Sequence, residues 1–187
     1  MNFLLSCERW YNNIIMKQWP APIQKEYIPV VRDLVRILKT KYDANLLSAV
    51  LYGSVARSQA EKSSDIDICL IFRTLPEATH KRTAYVTAFE DDLRARKSFS
   101  RLFDDGYYVS VSPVDFTVDE LKTRTPALFL DIIEDGVVLI DDGTFEGKAG
   151  RLRQRMAELG THKVALEDGG HTWALKKDAR PGEAIAI

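Results

Sequence analysis

A Gly-Ser pair, Gly53-Ser54, stands ten residues ahead of the triplet Asp65-Ile66-Asp67, and apolar runs flank the whole stretch. Gly53 has no Cβ, so a phosphate can approach the backbone N–H groups where a strand turns into a short helix, and Ser54 adds a hydroxyl donor. Asp65 and Asp67 are two residues apart on a strand, so both carboxylates face the same way and can bind one hard divalent cation or two neighbouring ones. The spacing therefore predicts a site for a phosphate group and Mg²⁺.

The same residues also allow a simpler interpretation, a solvated loop followed by two aspartates on the polar face of an edge strand. Such pairs are common on half-exposed strands, so Asp-x-Asp alone indicates little. A Gly-Ser pair at the end of one apolar strand, followed at this distance by Asp-hydrophobic-Asp inside another, is far more specific. The context favours a functional site.

Apolar spacing divides the rest of the chain into alternating helices and strands. The predicted elements are, in chain order, a helix over 28–42, a strand over 46–53, a strand over 65–72, one long helix over 75–103, a strand over 107–117, a helix from 126 to 135, a strand over 137–140, a helix over 145–159, and a hairpin formed by 163–166 and 172–175. This order predicts an α/β fold with a small mixed β-sheet backed by helices, and a C-terminal helix and β-hairpin extension.

Capping residues mark several of these boundaries. Thr125 is expected to cap a helix that has Pro126 at its first position, and Gly136 and Gly160 are expected to end helices. The turn of the hairpin is expected at residues 168–170, Asp-Gly-Gly.

Composition excludes several classes of protein. A chain of 187 residues with 45% hydrophobic and 28% charged residues is long enough for one domain with a core, and its net charge of -1 gives no sign of a nucleic-acid surface. The start of the sequence is unlike a signal peptide, and no apolar stretch approaches a membrane span. Cys7 and Cys69 are isolated, with Cys69 expected as a buried free thiol, so we expect a cytoplasmic protein. Met16 could equally open the chain.

Taken together, the motif resembles the signature of the minimal nucleotidyltransferases of the DNA polymerase beta superfamily: Gly-Ser, ten residues, Asp-x-Asp. Gly53, Ser54, Asp65 and Asp67 match it without a gap, and the resemblance covers roughly residues 28–141. It implies that Gly53 and Ser54 hold a nucleoside triphosphate, that Asp65 and Asp67 are catalytic and hold two Mg²⁺ ions, and that the chain moves a nucleoside monophosphate, with AMP the expected one, to a hydroxyl acceptor. Residues 28–143 would form the nucleotidyltransferase domain, with 1–27 an N-terminal extension and 144–187 the C-terminal extension.

The resemblance also implies a third catalytic, metal-binding carboxylate from the next long strand, and Asp115 is the one available there. Its parity is awkward, because Asp115 alternates with Val109 and Val111, which are expected to face the core. A bulge at Pro113 would turn Asp115 toward the site. Without that bulge Ser110 stands in the third position, and catalysis is expected to be weak or absent.

Arg57, one turn into the helix after Gly-Ser, is a further candidate for binding a phosphate. A solvated arginine on a short helix is an equally good interpretation of this residue.

The acceptor is not encoded in the motif. The resemblance favours a small helical HEPN-type ribonuclease toxin as partner, neutralised by transfer of AMP to one of its tyrosines in a toxin-antitoxin pair. Two alternatives remain open: a nucleotidyltransferase that modifies small molecules, as in antibiotic resistance, and a catalytically silent module that neutralises a partner by contact alone. The near-neutral charge gives no direct evidence for nucleic acid as a partner.

Overall fold

A mixed four-stranded sheet carries helices on both of its faces. The computed structural model describes residues 23–123, 125–167, 170–180 and 185. The elements are α1 (Ile28–Tyr42), a 3-10 helix (Asp43–Asn45), β1 (Leu46–Tyr52), α2 (Gly53–Ala56), β2 (Ile66–Phe72), α3 (Thr79–Val86), α4 (Glu90–Arg94), α5 (Lys97–Asp104), β3 (Val111–Thr117), α6 (Val118–Thr123), α7 (Ala127–Asp135), β4 (Val137–Asp141), α8 (Thr144–Leu159), β5 (His162–Ala165) and β6 (His171–Ala174).

The strand order is β3-β2-β1-β4. Strand β1 is antiparallel to both β2 and β4, whereas β2 and β3 are parallel. All seven residues of β1 are buried, as expected for a central strand covered on both faces. The prediction of a small mixed sheet backed by helices is confirmed.

Each face of the sheet has its own apolar core, and residues of β2 and β3 alternate between them. Leu51 and Ile68 belong to the core under α1, α4 and α5, together with the buried stripe of α1. Val50 and Cys69 belong to the core under α7 and α8. On β2, even-numbered residues face the core that contains Leu51 and odd-numbered residues face the core that contains Val50. On β3 this assignment is reversed.

The single long helix predicted over 75–103 is wrong. The segment forms α3, α4 and α5, separated by turns, and Arg96 before α5 has an extended backbone (ψ 141°). The bends let Val86, Phe89, Leu93 and Leu102 all reach the same core, which a straight helix of that length could not do. Strand β3 starts at residue 111 rather than 107, and α6 was not predicted.

The capping role predicted for Thr125 is also wrong. Pro126 itself takes the cap position of α7, with φ −61° and ψ 146°, and the Thr125 hydroxyl accepts a hydrogen bond from Lys148 Nζ (2.9 Å). Gly136 does end α7, but in an extended conformation. A Cβ there would lie 2.2 Å from the Ile132 carbonyl oxygen. Gly160 ends α8 with φ 68°, as predicted.

The C-terminal extension forms the predicted antiparallel hairpin, β5 paired with β6. Its predicted turn falls partly on residues 168 and 169, which lie outside the described residues, as do Cys7, Met16 and most of the proposed N-terminal extension. Cys69 is a buried free thiol, as expected, and burial raises its pKa. No helix in the described part of the chain is long and apolar enough to cross a membrane.

Candidate active site

Gly53 joins the end of β1 to the short helix α2. Its φ is +74°, which favours glycine, and a Cβ at this position would lie 2.2 Å from Asp67 Oδ2. Glycine is therefore required here twice, once by the backbone conformation and once by the close approach of a carboxylate. The first N–H groups of a helix have no partner within it, so the turn at Gly53 and Ser54 offers donors next to Asp67.

Asp65 and Asp67 bracket the first residue of β2 and lie on the face that carries Cys69 and Ile71 further along the strand. Asp67 pairs in register with Tyr52 on β1, directly before Gly53. The four residues of the signature are thus brought together, because β1 ends where β2 begins and the two strands are antiparallel neighbours.

The electrostatics of the pair favour a cation. Burial raises the pKa of Asp67, and the charge of Asp65 raises it further, while Arg57 acts in the opposite direction. Burial and the charge of Asp67 raise the pKa of Tyr52 as well. Two carboxylates that repel each other in a partly buried place are a natural ligand pair for a divalent cation, which would neutralise both.

Two serines lie beside this pair, Ser112 on β3 and Ser110 directly before β3. Ser112 pairs in register with Asp67, and the Ile66 N–H donates to the Ser110 carbonyl oxygen (2.9 Å). The Ser110 hydroxyl hydrogen-bonds to Asp65 Oδ1 (2.6 Å) and the Ser112 hydroxyl to Asp65 Oδ2 (3.3 Å).

Asp115, the predicted third carboxylate, is not brought to this group. Strands β2 and β3 pair without a shift from Ile66–Val111 to Phe72–Thr117, so Pro113 introduces no bulge and Asp115 stays on the opposite face. There it accepts hydrogen bonds from Arg82 of α3, whose other nitrogens bind Glu120 at 2.7 and 2.9 Å. Regular alternation, the alternative weighed from the sequence, describes β3 correctly.

Arg57 follows α2 immediately and is close enough to influence the pKa of Asp67. Its guanidinium contacts Gln59 Oε1 (3.2 Å) and Asp135 Oδ2 at the end of α7 (3.5 Å). Asp135 was not singled out from the sequence, where it appears only as the last residue before a helix-ending glycine. The contact holds Arg57 at the edge of the site.

The polar loop between Ser54 and Asp65 is held by hydrogen bonds to Gln24 and Tyr27, which lie before α1. Gln24 exchanges two hydrogen bonds with the backbone of Ala60 (2.8 and 3.1 Å), and the Tyr27 hydroxyl lies 3.2 and 3.3 Å from the carbonyl oxygens of Glu61 and Ser64. These contacts hold the loop against the segment that precedes α1.

The site therefore combines donors for a phosphate with an adjacent acidic pair. Among residues 23–123, 125–167, 170–180 and 185, no set of three or more His, Cys, Asp or Glu side chains is arranged to hold a metal ion. The acidic pair fits Mg²⁺, which commonly uses one or two carboxylates and completes its shell with water and substrate phosphates.

Comparison with known proteins identifies a domain family. The model of the nucleotidyltransferase domain family matches residues 31–129, more than half of the chain. No curated protein matches the chain.

The chain is also similar to solved structures of toxin-antitoxin complexes. A complex with AMP-PNP is 18% identical, with 69% of this chain and 91% of that chain covered and a TM-score of 0.44. The MNT antitoxin complex with the tri-AMPylated HEPN toxin of Shewanella oneidensis is 18% identical over 71% of this chain and 91% of that one, with a TM-score of 0.41. A chain of the MntA-HepT complex is 18% identical over 71% of this chain and 92% of that chain, with a TM-score of 0.40.

Proposed function

Because the chain belongs to the nucleotidyltransferase domain family, we propose that it transfers a nucleoside monophosphate, AMP being the expected one, from a nucleoside triphosphate to a hydroxyl group in a Mg²⁺-dependent reaction. The observation that carries the proposal is the meeting of Gly53, Ser54, Asp65 and Asp67 at one end of β1 and β2. We place the reaction in the cytoplasm, in line with the buried free thiol of Cys69.

Each residue has a separate task in this reaction. The N–H groups at Gly53-Ser54 and the Ser54 hydroxyl bind the triphosphate, and Arg57 reaches a phosphate oxygen once it exchanges Asp135 for the nucleotide. Asp65 and Asp67 hold Mg²⁺, which when bound supplies charge stabilisation at the α-phosphate. The acceptor oxygen attacks the α-phosphorus, and the bond from the α-phosphorus to the oxygen that bridges to the β-phosphate breaks. Pyrophosphate leaves with that oxygen, and the proton of the acceptor hydroxyl passes to water.

The proposed acceptor is a tyrosine hydroxyl of a small helical HEPN-type ribonuclease. Support comes from the unbroken match of the signature to minimal nucleotidyltransferases, a group that works in such pairs. The domain at residues 28–143 would carry the chemistry, and the family match lies inside it.

A second candidate function, neutralisation of a partner by contact alone, is favoured by one observation. Serines stand beside Asp65 and Asp67 where a third carboxylate would activate the acceptor. Slow or absent transfer with intact partner binding would identify this case.

The test is incubation with each labelled nucleoside triphosphate and Mg²⁺, with and without a candidate HEPN-type ribonuclease, followed by mass spectrometry of both proteins. We expect AMP on the partner with wild type and none with Asp65→Asn. A partner that stays unmodified yet co-purifies with the chain would support the contact function instead.

A further inference from the structure

We infer that the chain itself supplies ligands for one divalent cation and not two, and that Ser112 occupies the position from which a third carboxylate would complete a second metal site. The inference rests on the proposed function, because it concerns the same Asp65 and Asp67. It departs from the two Mg²⁺ ions that the sequence resemblance implies.

Ser112 lies beside both aspartates. It pairs in register with Asp67 on the neighbouring parallel strand, and its hydroxyl reaches Asp65 Oδ2 (3.3 Å). Ser110, directly before β3, lies on the same side, with its hydroxyl 2.6 Å from Asp65 Oδ1. Both oxygens of Asp65 are thus already engaged with neutral hydroxyl groups.

Three other carboxylates near the site form ion pairs with arginine or lysine side chains. Asp115 and Glu120 bind the Arg82 guanidinium on the opposite face of the sheet. Asp135 is on the correct side but pairs with Arg57 and Lys163. None of these three carboxylates lies beside the acidic pair.

Charge also limits how many cations the site can hold. Two divalent cations close together repel strongly, and sites that hold both use several carboxylates to offset that repulsion. Asp65 and Asp67 provide two negative charges, enough to neutralise one such ion. A serine hydroxyl adds a dipole but no charge, so Ser110 and Ser112 give a second ion no anionic ligand from the chain.

The test counts bound ions directly. Wild-type protein is saturated with AMP-PNP, titrated with Mn²⁺ as a paramagnetic substitute for Mg²⁺, and the bound ions are counted by electron paramagnetic resonance. We expect one ion per chain for wild type and two for Ser112→Asp. Ser112→Asn is the matched control, since asparagine has the size of aspartate without its charge, and it should stay at one.

A melting curve for each variant shows whether it folds. If Ser112→Asp does not fold, Ser110→Asp is used for the same measurement. Two ions in the wild type would overturn the inference and leave the proposed function intact. One ion in both aspartate variants would overturn the assignment of the third position. No ion with AMP-PNP in the wild type would overturn the inference and the proposed function together.

Discussion

At the scale of single residues, the site contains two carboxylates that repel each other. Asp65 and Asp67 repel each other, and burial and this repulsion together raise the pKa of Asp67. Residues that cost stability in the free protein are expected where a ligand later compensates for them. The sequence correctly predicted that Asp65 and Asp67 share one face of the strand, because alternation on a strand fixes which side chains share a face.

We expect Asp65→Asn and Asp67→Asn to abolish Mg²⁺-dependent ATP binding without lowering the melting temperature. Removing one of two repelling carboxylates costs the fold little and can stabilise it. Calorimetric titration with ATP and Mg²⁺, combined with thermal melting, checks both points. Asp91→Asn, at a highly exposed aspartate on α4, is the control and should change neither. A large drop in melting temperature for the site variants would mark the pair as structural.

Gly53→Ala should lower both nucleotide affinity and stability, the latter by about 1–2 kcal/mol, because alanine is strained at positive φ. Its Cβ would also push against Asp67 Oδ2. Gly150→Ala is the matched control: nothing lies within 4 Å of a Cβ there, and alanine in α8 should stabilise by up to about 1 kcal/mol. Equal behaviour of the two variants in melting and titration would contradict the role assigned to Gly53.

At the scale of secondary-structure elements, Arg82 connects three of them. Its guanidinium joins α3 to Asp115 on β3 and to Glu120 on α6. Hydrogen bonds from Arg82 and from the Thr117 N–H lower the pKa of Glu120 to about 2. The sequence could not predict this contact, since Arg82 and Asp115 are far apart in the chain and only the paired strands bring α3 over β3.

This connection makes stability depend on pH. The pKa of Glu120 is lower in the folded chain than its ordinary value of about 4.3, so its stabilising effect is complete above that value and is lost as pH falls toward 2. Glu120→Gln should cost about 1 kcal/mol at neutral pH, given the partial exposure of the pair, and should flatten the decline in stability below pH 5. Urea unfolding from pH 2 to 7 measures this. Asp119→Asn, at the exposed neighbour, should follow the wild type.

The elements also show where local patterns fail. Apolar spacing predicted helix over 75–103 correctly in kind but not in shape, because the bends depend on how Val86, Phe89 and Leu102 reach one core. The sequence did not decide whether Pro113 introduces a bulge, so it left the face of Asp115 open. The uninterrupted pairing of β2 with β3 decides it.

At the scale of the whole molecule, the C-terminal hairpin is fastened to α7 by polar contacts. Lys163 of β5 lies 2.6 Å from Glu134 and 3.4 Å from Asp135, while His171 and Trp173 of β6 contact Asp131 at 2.8 and 3.2 Å. The hairpin itself was predicted from the sequence. Its position against α7 was not, because acidic residues on a helix do not indicate which distant cation they bind.

The carboxylate of Asp135 is shared between Arg57 beside the nucleotide site (3.5 Å) and Lys163 on the hairpin (3.4 Å), whose ammonium lies 5.3 Å from the centre of the Trp173 ring. If a phosphate draws Arg57 away, Lys163 is the remaining cation of this pair bound to Asp135, and the Lys163 ammonium moves relative to the Trp173 indole. We therefore expect Trp173 to act as an optical reporter of nucleotide binding. Adding ATP and Mg²⁺ should change the tryptophan emission, and this change should vanish in Trp173→Phe and in Asp135→Asn. An equal change in Trp173→Phe would show that the signal arises elsewhere.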